Sequence, residues 1–338
     1  MPKPRSPRLS LLLLVALVPA CLPFRATGGD FDGNPEVARF IDRVAQRHHM
    51  RRTRLAALLH HAHRLDKVLA AIARPAEKKP WYQYRRIFLT RDRIQGGAAF
   101  WDRYQDLLAR AADRYGVDPA VVVAIIGVET RYGRHAGRFH VLDALATLAF
   151  DYPPRQRFFR SELEEFLVLA EEEKIDPLAV RGSYAGAMGG GQFMPSSYRR
   201  FAVDFDGDGR RDLWRSTADV IGSVAHYLGE HGWRRGGPIA LPARVGGADL
   251  AGLLDKGLQP TIPVAELARR GIRIDGPAPA GARVTLVALQ QRRGKAYWVG
   301  FQNFYVITRY NHSPLYAMAV YQLSRAIARH RAAQLAHR

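Results

Sequence analysis

Glu129 lies in IIGVETRYGR, residues 125–134, at the end of a nearly all-apolar stretch that opens at Asp118-Pro119 and runs through VVVAIIGV. Pro after an acidic cap residue starts a helix, and so much apolar surface places that helix in a domain interior. A carboxyl in its last turn is doubly disfavoured as an anion, by desolvation and by the negative end of the helix dipole. Such a group holds its proton toward neutral pH and suits general acid catalysis. The alternative is an ion pair of Glu129 with Arg131 or Arg134 at a fraying helix end. A second stretch, GSYAGAMGGGQFMPSSYRRF (182–201), sets five glycines before Gln192, Phe193 and Met194. Glycines let another chain approach the backbone closely, but no Lys follows in phosphate-loop position. Amides and hydroxyls beside aromatics suit a sugar chain, whose edges want hydrogen bonds and whose faces want apolar contact; a tight helix-to-helix turn would leave the same pattern. A third, FYVITRYNHS (304–313), reads as a strand giving way to a helix, with Tyr310 and Asn311 at the junction.

ETRYGR, SYAGAMGGGQFMPSSY, AVDFDGDG and NFYVITRYN occur in this order. Together they resemble the membrane-bound lytic murein transglycosylase B family, from about Asp30 to the last helix. The resemblance implies an α+β, mainly α, lysozyme-like core with a helical domain and a small inserted antiparallel β-subdomain. It also implies cleavage of the MurNAc–GlcNAc β-1,4 bond of peptidoglycan without water, with no catalytic cofactor. By motif position Glu129 becomes the single catalytic acid/base. Ser183, Gln192, Phe193, Met194 and Tyr227 would line the substrate groove, and Tyr310 with Asn311 would hold the acid or the sugar's N-acetyl group. Gly190 stands where the family often has an aromatic, and Phe158 where a groove Tyr is common, so groove contacts are lost there.

A two-carboxylate glycosidase needs a second acid about 5–5.5 Å away for retention, or about 6.5–9.5 Å for inversion. The motifs supply one. In the implied reaction Glu129 protonates the glycosidic oxygen, the substrate's N-acetyl group stabilises the developing charge, and Glu129 then deprotonates the C6 hydroxyl to leave a 1,6-anhydro end. Asp151, Glu162, Glu164 and Glu165 are the remaining acids to weigh, and they read as a solvated helix face. A hydrolytic muramidase on the same scaffold, or an inactive peptidoglycan-binding protein, is the rival reading.

DFDGDGRRDLW (204–214) has Asp204, Asp206 and Asp208 at alternate positions before Gly209, the first half of an EF-hand loop, but position twelve is Arg215. In the resembled family the loop is longer and closes with an Asp, here Asp219, with the Arg210 carbonyl as a further oxygen. That implies structural Ca2+. The local rival is a capping box, Ser216 at the N-cap with Asp219 three residues on.

The elements that must position these groups are mostly helical. Asn34-Pro35 opens a helix with Val37, Phe40, Ile41 and Val44 inward, and Thr53 opens another with Leu55, Leu58, Leu59 and Ala62. Trp101, Tyr104, Leu108, Ala111 and Tyr115 share one helix that stops at Gly116. Further helices are expected near 138–149, 157–173 and 217–229. The sequence divides as a helical domain at 30–116, the catalytic core at 117–235 with the Asp loop at 204–219, a β-subdomain at 236–305 and a closing segment at 306–338. In the β-subdomain VTLVAL and AYWVGFQNFYVIT read as strands. Ser313-Pro314 opens the last helix, with Leu315, Met318, Leu323 and Ile327 returning to the first bundle. There is no 20–50-residue repeat.

The 338 residues carry 51 Lys+Arg against 31 Asp+Glu, a net charge of +20, with 47% apolar residues and one Cys. Intramolecular disulfides, Cys-based zinc sites and iron–sulfur clusters are excluded. Lys3, Arg5 and Arg8 precede a short apolar run, Leu11–Val18, too short to span a bilayer. This is an export signal. Val18-Pro19-Ala20-Cys21 resembles a lipobox, which would acylate Cys21 and anchor the protein to the outer membrane from the periplasm; cleavage near Ala26 would instead free it. Export argues against nucleic acid as the polyanion and fits peptidoglycan, whose stem peptides carry carboxylates, with other cell-wall enzymes as possible partners. His48, His49, His60, His61 and His63 lack HExxH spacing and read as a solvated basic face rather than a zinc site. WYQYRRIF (81–88) fits a binding wall or core packing equally.

Overall fold

The computed structural model describes residues 29–74, 78–246 and 250–337; the export signal and Cys21 lie outside the described residues. Helices α1 (Pro35–His48), α2 (Arg52–His60), α3 (Asp66–Ile72), α4 (Trp81–Phe88), α5 (Arg91–Arg103) and α6 (Gln105–Tyr115) precede α7 (Pro119–Thr130). Strand β1 (Phe139–His140), α8 (Val141–Asp151), a 3₁₀ turn at Pro153–Arg155, α9 (Gln156–Glu172), β2 (Arg181–Gly182), α10 (Pro195–Phe201) and α11 (Thr217–Glu230) follow. The chain continues through β3 (Ala240–Val245), α12 (Ala251–Leu254), β4 (Ile262–Pro263), α13 (Val264–Arg269), β5 (Ile272–Ile274), β6 (Arg283–Gln290) and β7 (Lys295–Gly300). It closes with α14 (Gln302–Tyr310) and α15 (Pro314–Ala336).

Helix α7 is the axle. Asp118 caps it, its carboxylate accepting the Ala120 N–H at 2.8 Å, and Pro119 fills the first turn. Every residue from Ala120 to Val128 is buried, with α5, α6, α11 and α15 packed around it. The last helix does return to the first bundle, and Gly116 ends α6 in the left-handed region at φ 73°.

The expected single helix over Trp101–Tyr115 is two. Tyr104, at φ −118° and ψ 29°, breaks it between α5 and α6, and its ring packs 4.8 Å from Phe100. Five strands form one antiparallel sheet in the order β4-β6-β7-β3-β5. Along β6 the side chains alternate: Val284 and Leu286 join a small core with Ile262, Leu267, Ile272 and Phe301, while Val287 and Leu289 enter the main core. Both sheet faces are therefore covered.

The strand expected to run on through 304–308 ends at Gly300. Residues 302–310 are helix α14, burying Asn303, Phe304, Val306 and Ile307 at helical spacing. Its β-branched and aromatic content imitates a strand, and packing decides otherwise. The acids of α9 are not a solvated face either. Glu162 is 4% exposed and accepts from the Ser196 N–H (3.0 Å) and hydroxyl (2.7 Å), capping α10 from outside; Glu164 is 7% exposed and meets Arg47 and His48 at 3.0 and 2.8 Å. Of WYQYRRIF, Trp81 and Tyr84 are buried core rings, so these two residues are packing.

Candidate active site

Glu129 sits one residue before the end of α7, half-buried, and the Tyr316 hydroxyl of α15 donates to its Oε1 at 2.5 Å. The hydrogen bond that fixes Glu129 thus comes from α15, not from the arginines that follow α7. The helix stops through three consecutive left-handed residues, Arg131 (φ 49°), Tyr132 (φ 63°) and Gly133 (φ 84°). Two of these are not glycine and cost about 1 kcal/mol or more each. The surroundings fix them: Tyr132 N–H reaches the Ile126 carbonyl at 3.3 Å, and its hydroxyl donates to the Arg93 carbonyl at 2.6 Å. The Tyr132 ring fits only because Gly97 and Gly127 face it; a Cβ there would meet its hydroxyl at 2.6 and 2.5 Å.

Three successive carbonyls of the glycine loop accept side chains, and one of these comes from this helix end. Gln192 Nε2 donates to Gly189 O at 3.0 Å, Thr130 Oγ1 to Gly190 O at 2.8 Å, and Tyr310 Oη to Gly191 O at 2.5 Å. The second Gln192 amide hydrogen goes to Ala136 O at 3.0 Å, so the group it can offer a ligand is its amide oxygen. Gln192 itself holds φ 52°. Ser183 Oγ accepts the Ala185 and Ala187 N–H groups at 3.2 and 3.0 Å and so shapes the loop. At Gly190 a Cβ would press on Val220 at 2.9 Å, so a side chain needs that neighbour to move.

Phe193 is 2% exposed, and its share in the expected groove wall is to back Tyr310 and Tyr227, at 5.7 and 5.8 Å. Tyr227 donates to the Arg309 carbonyl at 2.6 Å and stacks on His231 at 4.1 Å. Met194, half-buried, leads into α10. Asn311 ends α14 half-buried, and its side-chain amide makes no hydrogen bond among the described residues. Burial pushes the Tyr227 hydroxyl up to about 12. It pushes Tyr310 and Tyr316 well above the usual phenol range, with the charge of Glu129 adding to it. These hydroxyls stay protonated donors. Tyr316 escaped the sequence reading because it falls among the apolar positions of α15, where a tyrosine passes for core.

The other acids are committed elsewhere: Asp151 to Arg64 at 2.9 Å, Glu165 to Arg199 at 2.5 Å, Glu162 and Glu164 as above. The exposed Phe158 lies under the Arg155 guanidinium at 4.2 Å.

In the Asp loop one carboxylate oxygen each from Asp204, Asp206 and Asp219 comes within 4.8 Å of the others. Asp208 is left out, exposed, with its Oδ1 turned back to the Arg210 N–H at 2.9 Å. Ser216 does cap α11, but Asp219 does not complete the capping box: its oxygens accept the Phe205 and Asp212 N–H groups, both at 2.7 Å. Burial raises the Asp219 pKa from its ordinary value, against those two bonds. Three converging acids, one fully buried, fit an oxygen-seeking cation. No histidine joins a metal-ligand group among the described residues; His48 and His60 pair with Glu164 and Asp32 at 2.8 Å.

Residues 32–325 match the model of the transglycosylase SLT domain. The chain belongs to this family. It is 46% identical over 311 residues to membrane-bound lytic murein transglycosylase B of Escherichia coli K12, covering 89% of this chain and 85% of that protein. The catenated lytic transglycosylase SltB1 of Pseudomonas aeruginosa superposes with a TM-score of 0.84 at 48% identity, over 89% of this chain and 100% of that one. The Escherichia coli lytic transglycosylase Slt35 in complex with calcium gives 0.81 at 46%, over 90% and 96%. In this transglycosylase domain the lysozyme-like fold delivers Glu129, the glycine loop and the end of α14 to one place.

His231 offers a pH test of the aromatic cluster. Burial lowers its pKa below 6.5, with Arg309 and Arg200 adding to the effect. An unfolded chain takes up a proton near pH 6.5 that the folded one resists, so stability present above about pH 6.5 is lost as pH falls below it. His231→Gln should flatten the fall of Tm below that pH; an unchanged slope would contradict the assignment.

Proposed function

We infer that this transglycosylase SLT domain protein is a peptidoglycan lytic transglycosylase with Glu129 as its one acid/base. The observation that carries this is the Glu129 carboxyl, half-buried at the end of α7 and fixed through Oε1 by Tyr316, while the four other candidate acids are bound in structural pairs. With a single carboxyl, hydrolysis by a paired base or nucleophile lacks its second partner. The proton of Glu129 goes to the glycosidic oxygen as the bond to C1 of MurNAc breaks. The substrate's N-acetyl group covers the developing positive charge, and the Asn311 amide would hold that group. The Glu129 carboxylate then takes the C6 hydroxyl proton as O6 closes on C1, giving the 1,6-anhydro end and restoring the acid. No proton or water is consumed. Tyr310 and Gln192 keep the glycine loop against the helix end while a sugar ring approaches.

Cell-wall turnover from the outer membrane is the setting we propose. Lys3, Arg5, Arg8 and the run before Cys21 favour export and acylation at Cys21, and the Escherichia coli relative is named membrane-bound. Among the described residues no helix is long and apolar enough to cross a membrane. Asp204, Asp206 and Asp219, with the Arg210 carbonyl, are the residues that would hold Ca2+, which would pin the loop to the start of α11 and take no part in the chemistry.

Glu129→Gln should lower lysis of murein sacculi by at least about 10²-fold, the smaller end of what a positioned acid/base contributes, with the Tm retained. Tyr316→Phe should lower kcat about tenfold with little change in KM, since it removes one hydrogen bond to a charged group. Glu129→Gln with most of its lytic activity would overturn the assignment. Excess calcium should raise Tm, with a stabilisation of about 2.7 kcal/mol at 100 times Kd, and Asp219→Asn should abolish the rise. Equal Tm in calcium and in chelator would contradict the site.

A further inference from the structure

The loop that leaves Glu129 carries an accumulation of positive charge that the reaction does not use. Arg131, Arg134 and Arg138 are exposed, as is Arg181, which sits beside them because β1 pairs with β2 in the register His140↔Arg181 and its guanidinium donates to the Arg138 carbonyl at 2.9 Å. None of these four guanidiniums is in an ion pair among the described residues. Other guanidiniums that face a neighbouring element do meet carboxylates, as Arg199 meets Glu165 and Glu172 or Arg331 meets Asp102. The loop is part of the site's framework, since the Gln192 amide bonds to Ala136 O in its middle.

We propose that this arginine loop is the subsite for the carboxylates of the peptide borne by the scissile sugar, so that the enzyme selects peptide-bearing over naked glycan. The inference rests on the proposed function. In peptidoglycan the peptide is attached to the MurNAc whose C1–O bond breaks, so it must emerge close to the catalytic acid, and the cationic loop begins two residues from Glu129. The glycan itself is neutral; the charges of the polymer are those of its peptides. Guanidiniums bind carboxylates through paired N–H donors, and a cluster of them without acids also draws an anionic polymer toward the groove.

The test compares kcat/KM on sacculi with their peptides intact and on the same sacculi stripped of peptides by an amidase, for the unaltered protein and for Arg134→Gln/Arg138→Gln. Arg131 is spared because it closes α7. The unaltered protein should prefer the peptide-bearing polymer, and salt should weaken that preference. The double variant should lower the ratio of the two kcat/KM values about tenfold, as expected for charge-assisted hydrogen bonds, with Arg134→Lys/Arg138→Lys recovering part of it. An unchanged ratio overturns the proposal, as does an equal fall on both substrates, which would mark a positioning role. Weaker binding to phosphatidylglycerol vesicles with an unchanged ratio would assign the loop to a membrane surface and also overturn it. Co-sedimentation of the Glu129→Gln protein with the two polymers reads binding without catalysis. A peptide preference there that the arginine substitutions remove sustains the subsite even if the proposed reaction fails, and its absence overturns the subsite alone.

Discussion

Three consecutive backbone carbonyls, at Gly189, Gly190 and Gly191, receive the side chains of Gln192, Thr130 and Tyr310. Those residues come from the loop itself, from the end of α7 and from the end of α14, so one short piece of backbone fastens together elements more than a hundred residues apart. Each bond is worth only about 0.5–1.5 kcal/mol net, but an unmade one would strand a buried acceptor at greater cost. The glycines allow it. At Gly189 the backbone is at φ 68°, and a Cβ would meet the Leu213 carbonyl at 2.6 Å; at Gly191 a Cβ would crowd the Tyr310 hydroxyl at 3.0 Å. The glycine loop is therefore a backbone structure to which side chains are added.

Glu129 depends on the same framework from the other side. An acid at the C-terminal end of an apolar helix has little local support; Thr130 at the helix end, Tyr132 just past it and Tyr316 of α15 supply it. Tyr132 locks the left-handed turn, Thr130 bonds the glycine loop, and Tyr316 orients the carboxyl. Buried, protonated tyrosines suit this task, because they donate hydrogen bonds without contributing a charge of their own to the groove. A reaction that needs neither water nor a second acid needs little more from the protein than such placement, together with the substrate's own N-acetyl group and C6 hydroxyl.

What was legible in the sequence follows from where the partners lie. Glu129 and the glycine loop were readable because their oddity is local: a carboxylate ending an apolar run, and glycines crowded before an amide. The family motifs then gave the lysozyme-like fold. Tyr310 was picked out, but on a strand, because VIT and its aromatics imitate one when the packing of α14 is unseen. Glu162 and Glu164 looked solvated because what buries them, Ser196 and Arg47 with His48, stands 34 to 117 residues away. Asp208 fitted the alternation of the acidic loop, yet its local turn to Arg210 takes it away from the cluster that Asp219 closes. Tyr316 gave no signal at all, and Tyr132 none beyond its place in ETRYGR, since a tyrosine facing a core and one holding a polar partner look alike in a row of letters.

The central claim is that one carboxyl performs both proton transfers and that no water enters the product. Digesting murein sacculi with the purified protein in water enriched in oxygen-18, and weighing the released fragments, tests it directly. The account predicts anhydro ends, each one water lighter than a hydrolysed fragment and free of the heavy isotope. Reducing ends that carry oxygen-18 would contradict it.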